Sequence, residues 1–401
     1  MNILLNLIKD ILFNKPTPDE INSIQSLSSA HDPSIADGIP FVENSSQPAS
    51  IDQSLQVAAI HHKAGQLNDA EAIYRTILKA QPQNTDANYN LGMLLLQAGQ
   101  SQAAIPFLQT ALEVNPANGQ YRLSMAECYM QLRAWNEAGA LLHDAEATGL
   151  RHPAVAGMMG QIAAGIDQSR HIQAAKNRFP GHDYMCWLKW LHQKVKPATY
   201  VEIGVESGQS LQFAQHPTKA VGIDPSIRII HSQESWVKLY KLTSDEFFIQ
   251  HDLRQVLGAE FVDMAFIDGL HTFDQALKDF INIERYAHPG TVVAFHDIFP
   301  VTAITADRDC KTIFWLGDTW KVVLILKEMR HDLKIFTLPA YPSGLTIVTG
   351  LNADSNLLSR ELEQIIERWM EIKLDPYLTE MDAHLNVVGN DIGTVSRLLE
   401  F

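Results

Sequence analysis

Thr199-Tyr-Val-Glu-Ile-Gly-Val-Glu-Ser-Gly-Gln-Ser210, followed by Ala220-Val-Gly-Ile-Asp-Pro225, decides the fold. Tyr200 to Ile203 is a short run of strand-forming, core-type residues. Gly204 and Gly208 mark a turn after it, and Ser210, Leu211 and Phe213 are expected to begin a helix. A second apolar run ends in Asp224. Strand, glycine turn, helix and strand make a βαβ start, with an acid about twenty residues after the first glycine, as nucleotide-type ligands require. Glycines let backbone approach a ligand closely, and an acid at a strand end can accept hydrogen bonds from two ribose hydroxyls. The spacing Glu202-x-Gly204-x-x-x-Gly208 lacks the G-x-G-x-x-G triplet that holds a pyrophosphate, which speaks against a dinucleotide site.

The E-x-G-x-x-x-G form with Asp224 downstream resembles the S-adenosylmethionine site of class I methyltransferases. The resemblance implies S-adenosylmethionine as cofactor, with Glu202, Gly204, Gly208, Ser210 and Asp224 among its contacts. The bland alternative is a glycine turn in an ordinary α/β domain.

The bulk properties narrow the setting. A chain of 401 residues is long enough for two or three domains, and 46% hydrophobic with 19% charged residues is a globular balance. A net charge of −15 makes nucleic acid an unsuitable partner. Cys128, Cys186 and Cys310 are too dispersed for a metal knuckle or a disulfide framework, which points to a reducing, cytoplasmic setting. The sequence has no apolar run of membrane-spanning length and no basic region or cleavage site of a signal peptide at its start.

The rest of the chain falls into segments around that stretch. Ile3/Leu4, Leu7/Ile8 and Ile11/Leu12 give residues 1–13 one apolar helical stripe. Its polar face carries only Lys9 as a cation, so docking on its own protein or a second subunit is expected in preference to a membrane or partner anchor. Pro16, Pro18, Pro33, Pro40 and Pro48 among Ser, Asn and Asp mark a linker to residue 50. Residues 51–150 repeat with a period of 34: Pro82 and Pro116; Ala70, Ala104 and Ala138; Tyr74, Leu108 and Leu142; Leu91-Gly92 and Met125-Ala126; Ala111 and Ala145. That pattern resembles the tetratricopeptide repeat, with a degenerate first unit in which Val57-Ala58 and His61 stand at the usual Leu-Gly and Tyr positions. The resemblance implies either a concave surface for a protein or peptide, or a rigid platform or oligomerisation arm.

Residues 151–180 are expected to cap the array, 181–350 to form the α/β domain, and 351–401 a helical extension used for packing or dimerisation. Strands are expected at 199–203, 220–224, 246–251, 262–267 and 291–296, then a pair at 333–338 and 344–349. Pro342-Ser343-Gly344 is too short for a crossover, so the last pair is antiparallel. Five parallel strands and a closing hairpin make the Rossmann-like, seven-stranded class I methyltransferase sheet, which a nicotinamide-binding domain would not match.

Ligands sit beyond the carboxyl ends of parallel strands. Asp252, after the expected third strand, is a candidate adenine contact; it equally suits the N-cap of a helix over Leu253 to Leu257. The fourth strand ends in Asp268-Gly-Leu-His271 and the fifth in His296-Asp297. Carboxylates and histidines beside a methyl donor suit deprotonation of a hydroxyl acceptor. Phe266-Ile-Asp-Gly-Leu-His-Thr-Phe273 followed by His296-Asp-Ile298 resembles bacterial methyltransferases found beside glycosyltransferases and, more distantly, metal-dependent sugar and catechol O-methyltransferases. The resemblance implies that Asp268 and Asp297 bind a divalent cation such as magnesium, and that Asp268 also faces the cofactor. The first member of the usual acid pair is His296 here, which leaves a second version open: His271 or His296 as base, held by a carboxylate such as Asp268. Tyr184 lies where such enzymes approach the cofactor. Pro300 to Trp320, with Arg308, Lys311, Trp315 and Asp318, is a long connection of the kind used as an acceptor loop; its alternative is a cover over the sheet.

Two functions are therefore expected as rivals. One is an S-adenosylmethionine-dependent O-methyltransferase acting on a sugar, glycan or glycosylated metabolite. The other is a repeat scaffold whose second domain methylates a recruited protein or serves as a binding module.

Overall fold

The computed structural model describes residues 50–147 and 149–399. The helix expected over 1–13 and nearly all of the linker to residue 50 lie outside the described residues. The chain divides into two compact units, Met1–Ala163 and Ala164–Phe401.

The first unit is a stack of three helix pairs: α1 (Ile51–Lys63) with α2 (Leu67–Ala80), α3 (Thr85–Gln97) with α4 (Ser101–Val114), and α5 (Gly119–Gln131) with α6 (Trp135–Ala147). The 34-residue period sets more than the core. Ser50, Asn84 and Asn118 each cap the first helix of a pair through a side-chain oxygen. Gly65, Gly99 and Arg133 each take a positive φ in the turn between paired helices. The alanines at 70, 104 and 138 are fully buried, as are Tyr74, Leu108 and Leu142. Small residues at these crossings let the helices approach closely. Helix α7 (Pro153–Arg178) follows.

The second unit is built on a seven-stranded sheet of order β3-β2-β1-β4-β5-β7-β6. β1 (Thr199–Ile203), β2 (Gln215–Ile223), β3 (Glu234–Tyr240), β4 (Val262–Ile267) and β5 (Ala287–His296) run parallel; β7 (Leu345–Thr349) is antiparallel to β5 and to β6 (Lys334–Leu338). Val201, Ile203, Ala265, Ile267, Val293 and Phe295 face one core layer. Tyr200, Met264, Phe266, Val292 and Ala294 face the other. Such two-sided burial explains why these strands read as unbroken apolar runs. Helices α8 (Tyr184–Val195), α9 (Ser244–Gln250), α10 (Leu253–Leu257), α11 (Phe273–Glu284), α12 (Trp320–Met329), α13 (Leu357–Met370), α14 (Met381–His384) and α15 (Ile392–Leu398) complete the unit. The stripe on α13 buries Leu358, Ile365 and Trp369.

Two local expectations fail. Residues 246–251 are not the third strand: Ser244–Gln250 is helix α9, capped reciprocally by Thr243 and Glu246. The aromatic and β-branched run Phe247-Phe-Ile249 suggests a strand, yet only Phe247 is buried and Ile249 is 84% exposed. The capping box outweighs β-propensity there. The true third strand, Glu234–Tyr240, is a sheet edge with Trp236 and Leu239 part-exposed, so its burial signal is weak. The helix expected from Ser210 is a single 3₁₀ turn, Leu211–Phe213, because β2 starts already at Gln215.

Among the described residues no helix is long and apolar enough to cross a membrane. All three cysteines are free thiols.

Candidate active site

Strand order reverses between β1 and β4: the chain moves outward through β2 and β3, then returns to the other side of β1. Loops leaving β1 and β4 therefore part, and a crevice opens at their carboxyl ends. A cavity of ≈ 600 Å³ lies there. Its walls come from successive strand ends: Gly204 and Glu206 after β1, Asp224 and Pro225 after β2, Thr243 to Asp245 after β3, Asp268 to His271 after β4, and His296 and Asp297 at the end of β5.

Gly204 holds the two central strand ends together. Its φ is +92°, and a Cβ there would lie 1.9 Å from the Asp268 carbonyl oxygen. Gly208 turns the chain against Ile229 and Gln233 and lies outside the cavity wall. Asp224 faces the cavity and accepts backbone N–H bonds from Glu206 and Ser226. Asp252 caps α10 by accepting from Arg254 and Gln255 and does not line the cavity. The acid at the β3 end is instead Asp245, beside Thr243, Ser244 and Gln275. Its signal in the sequence is the capping box Thr243-Ser-Asp-Glu246, which the strand-like run Phe247-Phe-Ile249 obscures.

Glu202 and Ser210 lie beneath the site and not in its wall. The Glu202 carboxyl accepts from Tyr200 Oη at 2.6 Å and from Ser210 Oγ at 2.6 Å, and is fully buried. Burial pushes its pKa from 4.5 up to about 8 against the lowering effect of those two bonds. Folding near neutrality therefore favours the neutral acid, which acts as a clamp tying the turn after β1 to the strand. An acid raised on folding stabilises fully below its unfolded pKa and loses that contribution as pH rises through the folded value. The stability difference between wild type and Glu202→Gln should accordingly be small below about pH 4.5. It should then grow in favour of the glutamine variant by roughly 1.4 kcal/mol per pH unit towards pH 8. Urea melts of the two proteins across that range measure it, and parallel curves would refute the clamp as a neutral acid.

In the cavity wall, Asp268, His271, His296 and Asp297 form one cluster. His271 Nε2 is 3.0 Å from Asp297 Oδ2 and 3.6 Å from Asp268 Oδ1. His296 Nδ1 is 3.2 Å from Asp268 Oδ1 and 3.4 Å from Asp297 Oδ1. Residues distant in sequence orient both rings. The Trp315 carbonyl accepts from His271 Nδ1 at 3.0 Å, so that nitrogen carries the proton and Nε2 faces the carboxylates. Ser343 donates to Asp297 Oδ1, so its oxygen accepts from His296 Nε2 at 3.2 Å, and Nδ1 faces Asp268. Tyr184 stacks on His296 at a ring separation of 3.9 Å. Asp297 itself sits at φ +53°, which turns its side chain back into the cluster.

Each imidazole thus points one nitrogen at carboxylates that can only accept. Burial opposes charging His271, but Asp297 and then Asp268 outweigh it and raise its pKa well above the ordinary value. Burial likewise opposes charging His296, and Asp297 and Asp268 raise it. Burial opposes ionising Asp268, but His296 and His271 hold its carboxyl well below the usual range. His271, His296 and Asp268 thus hold one another towards their charged forms. The same geometry also fits a cation: ligand atoms of Asp268, His271 and Asp297 lie within 4.8 Å of one another, a spacing open to one hexacoordinate divalent ion.

The connection Pro300 to Trp320 is fastened beside this cluster. Gly317 packs so closely that a Cβ would lie 1.6 Å from the His271 carbonyl oxygen. Asp318 is buried, accepts from the Phe273 N–H at 3.0 Å and pairs with Lys321 at 3.0 Å. Arg308 pairs with Asp274 at 2.8 Å. Trp320 is 1% exposed and belongs to the core. Trp315 alone of the two tryptophans remains beside the site, its ring 5.4 Å from that of His271.

Sequence comparison agrees with this architecture. A family model for a methyltransferase domain matches residues 201–298. Two tetratricopeptide repeat models match residues 61–112 and 95–162. No curated protein matches the chain. Similar solved structures include MamA 41-end from Desulfovibrio magneticus RS-1, 17% identical over 30% of this chain and 68% of that one, with a TM-score of 0.29. The Yersinia enterocolitica type III secretion translocator chaperone SycD is 17% identical over 30% of this chain and 83% of that one, with a TM-score of 0.26. The first repeat domain of Spaghetti (RPAP3), bound to an HSP90 peptide, is 13% identical over 29% of this chain and 93% of that one, with a TM-score of 0.28. The chain carries a series of tetratricopeptide repeats followed by a methyltransferase domain of seven-stranded mixed-sheet architecture.

Proposed function

We propose that the second unit is an S-adenosylmethionine-dependent O-methyltransferase, and that Asp268, His271 and Asp297 hold a divalent cation beside the methyl acceptor. The observation that carries this reading is the convergence of three ligand-type side chains in the wall of the strand-end cavity. A methyltransferase domain implies S-adenosylmethionine, and a cavity of ≈ 600 Å³ is of the right size for it. Asp224 would take the ribose hydroxyls and Asp245 the adenine amino group. Gly204 leaves room for the methionyl part beside Asp268. The cofactor supplies an electrophilic methyl group; the chain aligns it with the acceptor oxygen and excludes water.

The bare histidine-base version fits the cluster less well. A general base must be unprotonated at rest, and both imidazoles here are turned towards carboxylates that favour their protonated form; a cation would displace the proton from His271 Nε2 and bind the neutral ring. A bound cation would supply Lewis acidity that makes an acceptor hydroxyl easier to ionise. His296 then keeps Asp268 and Asp297 in place, and Ser343 fixes His296. Trp315, whose ring lies beside that of His271, suits the apolar face of a sugar, which supports a sugar or glycan acceptor. The repeats favour a second reading, in which the acceptor belongs to a recruited protein. A pulled-down protein labelled by methyl-tritiated cofactor would favour it over the glycan.

Calorimetry with S-adenosylmethionine tests the donor half. Asp224→Ala should weaken binding about 100-fold, since two charge-assisted hydrogen bonds are lost. Asp245→Ala should weaken it about tenfold, and Asp252→Ala should leave it unchanged. Equal binding by wild type and Asp224→Ala would end the cofactor assignment.

A further inference from the structure

Helix α11 carries a buried acid that the chemistry above does not use. Asp279 is 1% exposed and lies one helical turn beyond Gln275, on the same face. Gln275 lines the strand-end cavity, and Asp279 stands behind it. One end of the Gln275 carboxamide lies 3.1 Å from Asp279 Oδ1, 3.0 Å from Asp245 Oδ1 and 3.1 Å from Ser244 Oγ. Two of those neighbours are carboxylate oxygens, which only accept when ionised, so this end is the NH2 group. Its two hydrogens serve the two carboxylates, and the Ser244 hydroxyl is left to donate to Asp279. The carboxamide's acceptor, Oε1, then remains for the cavity, in the wall beside Asp245.

We propose that Asp279 is a positioning residue for cofactor capture: its carboxylate fixes the Gln275 amide with the oxygen towards the adenine amino group, and its protonation releases that amide. The proposal rests on the S-adenosylmethionine reading of the cavity. An adenine amino group offers two hydrogens, and Asp245 and Gln275 Oε1 are two acceptors side by side. The ionised Asp279 enforces this arrangement, because a flipped amide would set its oxygen against two carboxylates. A protonated Asp279 donates to an amide oxygen as readily as it accepts from an NH2 group. The flipped amide then meets the adenine amino group donor to donor. Burial brings this change close to neutrality, pushing the Asp279 carboxyl from 3.8 up to about 7 against the lowering bonds from Ser244 and Gln275. The charged groups facing it are Asp245 on α9, which raises it further, and Lys278 on its own helix, which lowers it. The bound cofactor selects the ionised form, so affinity is full above about pH 7 and falls as pH drops below it.

Calorimetry with S-adenosylmethionine on the full chain tests this between about pH 6 and about pH 8. Asp279→Asn keeps an acceptor for Gln275 and cannot ionise. The cofactor's own groups and the histidine cluster titrate in both proteins, so they cancel in the ratio of the two dissociation constants. Wild type should lose about tenfold in affinity relative to Asp279→Asn from the upper to the lower pH, the effect of one linked proton. A ratio that stays constant with pH would overturn the proposal, since a merely structural acid shifts binding uniformly. In a Gln275→Ala background the same comparison should be flat; a persisting tenfold change would show that Asp279 acts by another route and would overturn it too. The ligand-free chain gives an independent readout. The side-chain amide resonances of Gln275, identified by their loss in Gln275→Ala, should titrate in wild type with a midpoint of about 7. Resonances that stay fixed over that range would refute the switch whether or not Asp279→Asn folds. Failure of the cofactor reading looks different: wild type would bind no S-adenosylmethionine at any pH, which ends both, whereas binding with a flat ratio ends this proposal alone.

Discussion

Asp297→Ala should abolish methyl transfer, with a loss of about a thousandfold or more, and a chelator should bring wild type down equally. Three features give Asp297 this weight. It is one of three side chains whose ligand atoms converge. It is held by the Ser343 hydroxyl. Its backbone sits at φ +53°, so the turn aims the carboxylate inward. Removing a cation that activates the acceptor costs several kcal/mol of transition-state stabilisation, and each 1.36 kcal/mol is tenfold in rate. Asp297→Asn separates chemistry from folding. Asparagine tolerates the left-handed backbone and still accepts from Ser343. It should therefore melt like wild type yet turn over poorly, with calorimetric manganese binding weakened in parallel. Full turnover in chelator would return the histidine-base version, and His271→Gln would then be the variant to lose activity.

Gly204→Ala should have the largest effect on stability for the fewest added atoms. Its φ of +92° is strained for any L-residue, which costs roughly 1–3 kcal/mol. The new methyl would also meet the Asp268 carbonyl at 1.9 Å and the Gly269 nitrogen at 2.8 Å. Those are backbone atoms at the ends of two paired strands and cannot swing aside, so overpacking adds roughly 1–3 kcal/mol more. The expected sum is roughly 2–6 kcal/mol, with loss of cofactor binding, because β1 and β4 must part where Asp268 lines the cavity. Gly258→Ala is the control: its φ of +61° is similarly strained, but the added atom meets only the tip of Lys219 at 3.6 Å. Urea denaturation of both variants checks this, and equal melting midpoints would remove close strand approach as the reason for glycine at 204.

These two positions mark where the sequence could and could not be read. Gly204 stood out as a turn glycine facing a ligand. Its second reason, the carbonyl of Asp268, belongs to a segment 64 residues later and leaves no local trace. Asp297 was visible as a polar tip on an apolar strand, as were Asp224, Asp268, His271 and His296. Asp252 and Asp245 show the opposite case. Both are acids near the end of the third crossover, and choosing between them depends on where the edge strand lies. An edge strand buries little, so its pattern is weak, whereas the aromatic run Phe247-Phe-Ile249 imitates a strand strongly. Trp315 and Trp320 were equal candidates for an acceptor loop until packing placed one beside His271 and the other in the core.

By itself the sequence determined whatever depends on neighbours in the chain. It carried the 34-residue period with its alanine crossings and caps, the apolar strands with polar tips, and the short turn that makes the last two strands antiparallel. Short-range sterics and burial of one face dictate these, and both leave a periodic imprint. Only the tertiary structure decided which tips share a cavity and which nitrogen of each histidine faces the carboxylates. It also decided that Glu202 and Ser210 support the turn from below, and that Ser343, Trp315 and Tyr184 complete the cluster. Those contacts join residues far apart in sequence, and their energies depend on burial and distance, which exist only once the strands have been ordered in the sheet.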